Sequence, residues 1–355
     1  MAKTMKEARV QVGEAPAYHI TTRLAEAAIP TPGPDQVVIR VVVAGTNPKD
    51  WKYPVFFGGK QDENTGDDVA GYIEAAGTNV TEFKKGDRVA AFHKMGAPYG
   101  AFAEYTVAYA TTTFHIPEKT SFEEAATIPL AAMTAALALF CSLGVPEPWV
   151  LTGAGREKAK QSAILIYGGA TAVGSFAIKL LRRANIHPII AVAGRGGDFV
   201  EGLLDKSQGD VVVDYRKGED ALVNGIKAAV PKGKSIYFAL DAVSENQTGD
   251  TICKVLDPEG HLTAVLPYTL ANPQKVNFSI TNVGHVHGET ANYKEFGYAW
   301  YRLFNLGLKE GWMTGHPHEV LPGGLNGVES GLQALQAGKA SATKYVYRIA
   351  ETEGL

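Results

Sequence analysis

The sequence predicts an α/β protein in two lobes, and three observations carry that reading. Its 355 residues exceed what one core usually contains. Residues 1–127 are rich in short β-like runs between Pro and Gly turns, whereas residues 128–290 alternate strand-like and helix-like segments, the mark of a doubly wound parallel sheet. Residues 291–355 then lead back to the first lobe. A cleft between two such lobes is the expected place for a site.

In the first lobe VVIRVVVAG (Val37 to Gly45), VAGYIEAAG (Val69 to Gly77) and RVAAF (Arg88 to Phe92) read as strands of a small, irregular barrel. Between Glu124 and Glu147 there is no charged residue, and the centre reads IPLAAMTAALALFCSLGV. Its length would suit a membrane span. Its Ala content, with Pro129 and Gly144-Val145-Pro146 at its ends, fits a helix buried in the protein better, and no second span or flanking positive cluster accompanies it.

The second lobe opens with AILIYGG, followed by a helix to about Ala184, HPIIAVAG, a helix near Asp198 to Lys206, DVVVDY, a helix near Glu219 to Val230, SIYFALD and HLTAVL. From about Asn292 an amphipathic helix, KEFGYAWYRLFNLGLKEG, leads to KYVYRI, which should rejoin the first lobe.

Net charge is −3, with 34 basic and 37 acidic residues spread without long runs, so nucleic-acid binding has no support. The N-terminus lacks the continuous apolar region of a secretory signal. Two distant cysteines, Cys141 and Cys253, suit a reducing, cytoplasmic setting and exclude a disulfide framework.

AILIYGGATAVGSFA (Ala163 to Ala177) has the local order of a dinucleotide pyrophosphate site: a strand, a Gly-rich turn, then a helix whose positive N-terminus faces the phosphates. Gly169, Thr171 and Gly174 fill the three positions of the usual G-x-G-x-x-G, so the middle one carries a side chain. Gly168 and Gly169 permit close backbone approach, and Gly174 lets the helix sit on the strand. About 20 residues further on, where an NAD site has an acidic residue, the chain reads Ala193-Gly194-Arg195-Gly196-Gly197. Arg195 and the glycine N–H groups suit a 2′-phosphate, which predicts NADPH over NADH. A solvent-facing turn with an incidental Arg is the plain alternative, and Asp198 would weaken the argument if it points inward. Tyr215 stacks on adenine, reaches the 2′-phosphate or is an ordinary strand-end aromatic. Asp241, Leu266 and Pro267 end later strands and are candidates by position.

AGTNPKDWK, TGDDVAGYIEAAG, KKGDRVAAF and EEAATIPLAAMTAAL, in this order before a dinucleotide fold, resemble the medium-chain dehydrogenase/reductase superfamily over essentially the whole chain. The resemblance implies a GroES-like catalytic domain and a Rossmann domain. The superfamily's zinc alcohol dehydrogenases carry Cys where this chain has Asn47 and Gly-His-Glu where it has Gly66-Asp67-Asp68, and Pro129 to Thr134 lacks their third ligand. A metal-free enzyme is therefore expected, with conjugate reduction of an activated alkene as its natural chemistry. NPKDWK, YGGATAVG, VVVDYR and ASATKYVYRI resemble the fungal trans-acting enoyl reductases that partner polyketide synthases.

By that resemblance Lys49, Asp50, Trp51 and Lys52 line the cofactor, with Lys52 near the ribose or the developing oxyanion. Ala170, Thr171, Ala172 and Val173 cradle the pyrophosphate, and Gly194 to Gly197 with Tyr215 hold the 2′-phosphate. Leu266 and Pro267 border the nicotinamide, and Thr343 and Lys344 the far edge. Thr134, Ala135, Ala136, Leu137, Ala138, Leu139, Phe140 and Cys141 face substrate or nicotinamide, and Val283, Gly284, His285, Val286 and His287 border the acyl pocket. Asn47 and Lys52 are candidate donors to the enolate oxygen, with turn chemistry the alternative for Asn47. Tyr53 or water is the candidate acid. His285 and His287, without a carboxylate partner, fit a loop or pocket better than a metal site. The expected partners are an unsaturated acyl substrate, free or on a carrier protein, and a polyketide synthase, with the enzyme a monomer or homodimer. A quinone or alkenal reductase and a non-catalytic NADPH-binding sensor or scaffold stay open as alternatives.

Overall fold

The computed structural model describes residues 4–56, 58–271, 276–288 and 292–355. The chain folds as two units, Met1–Leu130 with Gly284–Leu355, and Ala131–Val283. The second break expected from the sequence, at 290 to 291, touches residues outside those described.

The first unit begins with a hairpin, β1 (Thr4–Val12) against β2 (Ile20–Ala28), in antiparallel register with Val12 opposite Ile20. The chain continues through β3 (Gln36–Gly45), helix α1 (Lys49–Phe56), β4 (Asp68–Ala76), β5 (Arg88–Phe92), β6 (Tyr105–Tyr109) and β7 (Thr113–His115). β3 is the hub because its side chains are apolar on both faces, and it pairs with β4 over its length and with β6 at its start. α2 (Phe122–Ala125) starts where the Ser121 hydroxyl accepts the Glu124 N–H at 3.0 Å, a serine N-cap. It runs on into α3 (Pro129–Ala136) and a π-helical turn, Leu137–Ser142. From Ala125 onward this run lies in the uncharged stretch of the sequence, and 89% of the apolar window within Phe122–Ser142 is buried inside the protein.

The second unit contains α4 (Ala154–Lys160), β8 (Ser162–Tyr167), α5 (Ala172–Arg183), β9 (Ile189–Ala193), α6 (Gly197–Leu203), β10 (Val211–Asp214), α7 (Glu219–Ala229), β11 (Ser235–Asp241), α8 (Thr248–Cys253), β12 (His261–Ala264) and β13 (Asn277–Ile280). All pairs are parallel and the order is β10-β9-β8-β11-β12-β13. The winding reverses between β8 and β11, so the carboxyl ends of these two strands form the topological switch point where ligands bind in such sheets. β8 and β9 are buried almost throughout, as a sheet covered on both faces requires.

The chain returns to the first unit with a 3₁₀ turn, Val283–His287, whose residues from Gly284 belong there, and with α9 (Tyr293–Glu310), β14 (His318–Val320), α10 (Val328–Gln336) and β15 (Lys344–Arg348). The amphipathic pattern of α9 buries Trp300, Tyr301 and Phe304, and Tyr301 stacks on Phe114 at 5.6 Å. The segment KYVYRI lies in the first unit: β15 pairs with β3, completing a seven-stranded sheet of path β14-β15-β3-β4-β5-β7 with β6 on β3. The expected small barrel is built as this sheet plus the β1–β2 hairpin, which is tied on by bridges at Glu7–Ala103 and Val10–Glu63.

Candidate active site

In the second unit β8 ends in a turn that only glycine can make. Gly168 has φ of +86°, and a Cβ there would lie 2.6 Å from Val243 Cγ2. A Cβ on Gly174 would lie 2.2 Å from the Gly168 carbonyl oxygen, so the first turn of α5 packs directly on the strand end. Thr171 sits at φ −72°, ψ 160°, where a side chain is welcome, and its Oγ1 accepts the Gly174 N–H at 3.0 Å. The threonine is the N-cap of α5. Its oxygen serves the helix, which leaves its O–H as a donor. No acidic residue lies in the first turn of α5, so the positive helix end and the turn after Gly169 fit a pyrophosphate.

At the next strand end Ala193 leads to Gly194, an exposed Arg195 and Gly196, the N-cap of α6. Tyr215 lies over Gly194, where a Cβ would stand 2.6 Å from the ring, and keeps 48% of its surface exposed. Asp198 is exposed in the first turn of α6. The carboxylate on the neighbouring strand, Asp214, is held by Arg216 at 2.7–3.1 Å and pushed down to about 2 by those bonds. These residues fit a phosphorylated ribose.

Two expectations in this unit change. Asp241 is wholly buried: its carboxylate accepts the N–H groups of Val243 and Ser244 at 3.1 and 2.8 Å and the Thr248 hydroxyl at 2.5 Å, and burial raises its pKa. It builds the turn after β11, and its carboxylate is taken up there by the turn's own donors. Of Thr134 to Cys141, Ala135, Ala136, Leu137, Ala138 and Leu139 are at most 2% exposed. Successive helical residues point in different directions, so one run cannot face one substrate. Thr134 (5%), Phe140 (8%) and the half-buried Cys141 remain. Burial, with Glu147, pushes the Cys141 thiol up to about 11. Leu266 is half-buried and Pro267 exposed beyond β12.

In the first unit the loop between β3 and α1 carries Asn47, which is 5% exposed. Its Nδ2 donates to Asp68 Oδ2 at 2.8 Å, its Oδ1 accepts from Lys344 Nζ at 3.1 Å, and its backbone N–H donates to Asp50 Oδ2 at 2.7 Å. Lys344 also pairs with Asp68, whose other oxygen accepts the Leu130 N–H at 2.7 Å. A second buried group adjoins it. Lys49 pairs with Asp50 at 2.9 Å and with Asp67, and donates to the Thr65 carbonyl at 2.5 Å, while Asp67 Oδ1 lies 2.8 Å from His93 Nδ1. Burial pushes the Asp50 carboxyl up to about 7 against the pull of Lys49. Burial would also raise Asp67, but Lys49 and His93 outweigh it and hold its carboxyl below the usual range.

Lys49, Asp50 and Lys344, expected beside a cofactor, have their charged groups turned to protein partners. Their charges are spent on one another and on Asp67 and Asp68, because a buried carboxylate needs a partner. Trp51 packs on the core with its ring 6.2 Å from that of Phe56, and Lys52 Nζ lies 5.5 Å over the Trp51 ring. Tyr53 lies against Gly59 and Gly96, where a Cβ would meet its ring or hydroxyl at 2.3–2.5 Å. Thr343 is half-buried ahead of Lys344.

The two histidines of GHVHG diverge. His285 is exposed, its ring 5.1 Å from that of Tyr293, whereas His287 Nε2 lies 3.2 Å from both the Phe92 carbonyl and Thr112 Oγ1. Burial pushes the His287 imidazole down to about 4. Val283 and Val286 are buried, and Gly284 is half-buried.

The family model of the alcohol dehydrogenase GroES-like domain matches residues 33–118. The chain is 44% identical over 329 residues to trans-enoyl reductase fsr4 of Gibberella fujikuroi, covering 92% of this chain and 93% of that protein. It belongs to the trans-enoyl reductases of the medium-chain dehydrogenase/reductase superfamily. It is also 29% identical to the enoyl reductase component lovC of the lovastatin nonaketide synthase of Aspergillus terreus, over 89% of each. Among solved structures, mycobacterial Rv1454c complexed with NADPH has the same fold, with TM-score 0.75 and 19% identity over 98% of this chain and 100% of that one.

In this reductase the positions of the dehydrogenases' zinc ligands are Asn47 and Asp67, followed by Asp68. Both carboxylates already hold an ammonium group, Lys49 on Asp67 and Lys344 on Asp68. This donor set does not fit zinc. The reductase is an oxidoreductase acting on carbon–carbon double bonds. Sequence reasoning missed Asp67, Asp68 and His93 as members of a polar network. The run Gly66-Asp67-Asp68 signalled only that carboxylates stand where a metal ligand would.

Proposed function

We propose that the reductase uses NADPH to reduce the α,β double bond of an unsaturated acyl thioester carried by a polyketide synthase. The observation that carries the cofactor choice is the end of β9, where glycines and an exposed Arg195 stand in place of a carboxylate and the nearest strand-end carboxylate is neutralised by Arg216. The substrate class rests on relatives named for enoyl reduction, one of them a synthase component.

When bound, the nicotinamide supplies hydride for the β-carbon. The chain does the rest. Gly168 to Val173 and the N-terminus of α5 hold the pyrophosphate, with the Thr171 hydroxyl as an added donor. Arg195 and Tyr215 hold the adenosine phosphate. Asn47 and Lys52 donate to the carbonyl oxygen as enolate charge grows there, a preorganised role that needs no metal. Tyr53 or water returns a proton to the α-carbon. Free Cys141 and Cys253 are in keeping with a cytoplasmic enzyme.

The test is NADPH and NADH oxidation with α,β-unsaturated thioesters, free and carrier-bound, beside quinones and small alkenals. Faster turnover of carrier-bound thioesters with NADPH is expected. Preference for free quinones, or binding of NADPH without consumption, would overturn the reading.

A further inference from the structure

We propose that Lys344 and Asp68 are positioning residues that lock the Asn47 carboxamide in one orientation, with its second N–H kept as the donor to the substrate carbonyl. This rests on the reading of Asn47 given under Proposed function.

A carboxamide turned end for end occupies nearly the same space, so packing alone seldom decides which end is oxygen. Here charge decides it. Lys344 Nζ lies 3.1 Å from Oδ1 and Asp68 Oδ2 lies 2.8 Å from Nδ2, on the two sides of the same group. The turned amide would set its oxygen against the carboxylate and its NH₂ against the ammonium, losing two charge-assisted bonds and gaining two repulsions. All three side chains are at most 5% exposed, so water cannot relieve either clash.

The clamp is itself held. Asp68 Oδ1 accepts the Leu130 N–H at 2.7 Å, which stops the carboxylate rotating, and the Asn47 backbone N–H is taken by Asp50 at 2.7 Å. One Nδ2 hydrogen goes to Asp68, and the other has no acceptor among the described residues. A nearly buried amide with one N–H left over is poised for a ligand oxygen. The ammonium on Oδ1 also polarises the amide, strengthening that remaining donor as negative charge develops on the substrate.

The test uses selectively ¹⁵N-Asn-labelled full-length protein and its variants Lys344→Met, Lys344→Arg, Asn47→Leu and Asp68→Asn/Lys344→Met. The double variant removes both charges together and so leaves no unpaired buried ion if the single Lys344→Met fails to fold. In the wild type the two Asn47 amide protons are expected as widely separated resonances. That separation should survive Lys344→Arg and collapse in Lys344→Met or the double variant. In steady state Asn47→Leu should lower kcat by about 10²-fold, as loss of one oxyanion donor does, with KM for NADPH unchanged. Lys344→Met should lower kcat about tenfold in the wild-type background, and hardly at all once Asn47 is Leu.

Unchanged amide resonances after removal of the Lys344 charge would overturn the lock. Equal losses of kcat with and without Asn47 would overturn the positioning role. If the wild type reduces no unsaturated thioester, the donor role falls with the functional reading, while the amide resonances still decide the lock.

Discussion

Arg195 and His287 show how differently single side chains are placed in this protein. Arg195 stands exposed at a strand end without a carboxylate, and the proposed preference for NADPH rests on it. Arg195→Ala should raise KM for NADPH by about 10- to 100-fold, the scale of one charged hydrogen bond, and leave NADH almost unchanged. Initial rates with both cofactors check this. His287 is held neutral, its pKa near 4 against an ordinary 6.5, because burial outweighs the pull of Asp67. Between pH 6.5 and 4 the unfolded chain takes up a proton that the folded one refuses, so stability is present above this window and lost as pH falls through it. Comparing unfolding of wild type and His287→Gln at pH 7 and pH 4 should show the acid loss reduced by on the order of 3 kcal/mol in the variant. Asp50, raised to about 7, has the opposite sign. It protonates in the folded state first, so it favours folding at lower pH, and only the difference between the two proteins isolates His287.

At the scale of elements, α5 depends on one hydroxyl and one hydrogen. Thr171→Ala removes the N-cap and should cost about 1 kcal/mol, whereas Thr171→Gly should cost only a few tenths. Denaturant unfolding separates the two. Gly174→Ala would bring a methyl within 2.2 Å of the Gly168 carbonyl, so α5 must move off its strand. Loss of NADPH-induced thermal stabilisation is the expected readout.

The strands and helices of the second unit were legible because continuous apolar runs and 3.6-residue periodicity are local signals. DVVVDY became β10 and SIYFALD became β11 nearly residue for residue. Helix α1 was not legible. Asn47-Pro48 reads as a turn and Pro54 interrupts the helix, so nothing local announces it. The hairpin β1–β2 was missed for a related reason: the outer face of β2 is half-exposed and polar, which blurs its alternation. β13 is a four-residue edge strand defined by β12 more than by its own residues.

At the scale of the whole chain, the first unit is made from both ends of the sequence, and its central sheet closes only when β15 docks beside β3. Lys344, the first residue of β15, brings the counter-charge for Asp68 from 276 residues away. A chain ending before Lys344 would leave the buried Asp68 carboxylate without its counter-charge and the end of β3, Val43 to Gly45, without the strand that pairs with it opposite β4. Such a truncation should give insoluble or unfolded protein, checked by expression level and circular dichroism, because stranding one buried charge alone costs about 3–5 kcal/mol.

The sequence by itself determined the order of elements, the doubly wound sheet, the Gly-rich turn and the absence of an acidic residue at the end of β9, since each is written in neighbouring residues. Only the tertiary structure decided where Lys49, Asp50 and Lys344 point. The family resemblance put them in segments expected to border a cofactor, but a charged side chain goes to the nearest opposite charge that burial leaves in need of one. For Lys344 those partners are Asp68 and Asn47, which lie 276 and 297 residues away along the chain and become neighbours only when the sheet forms.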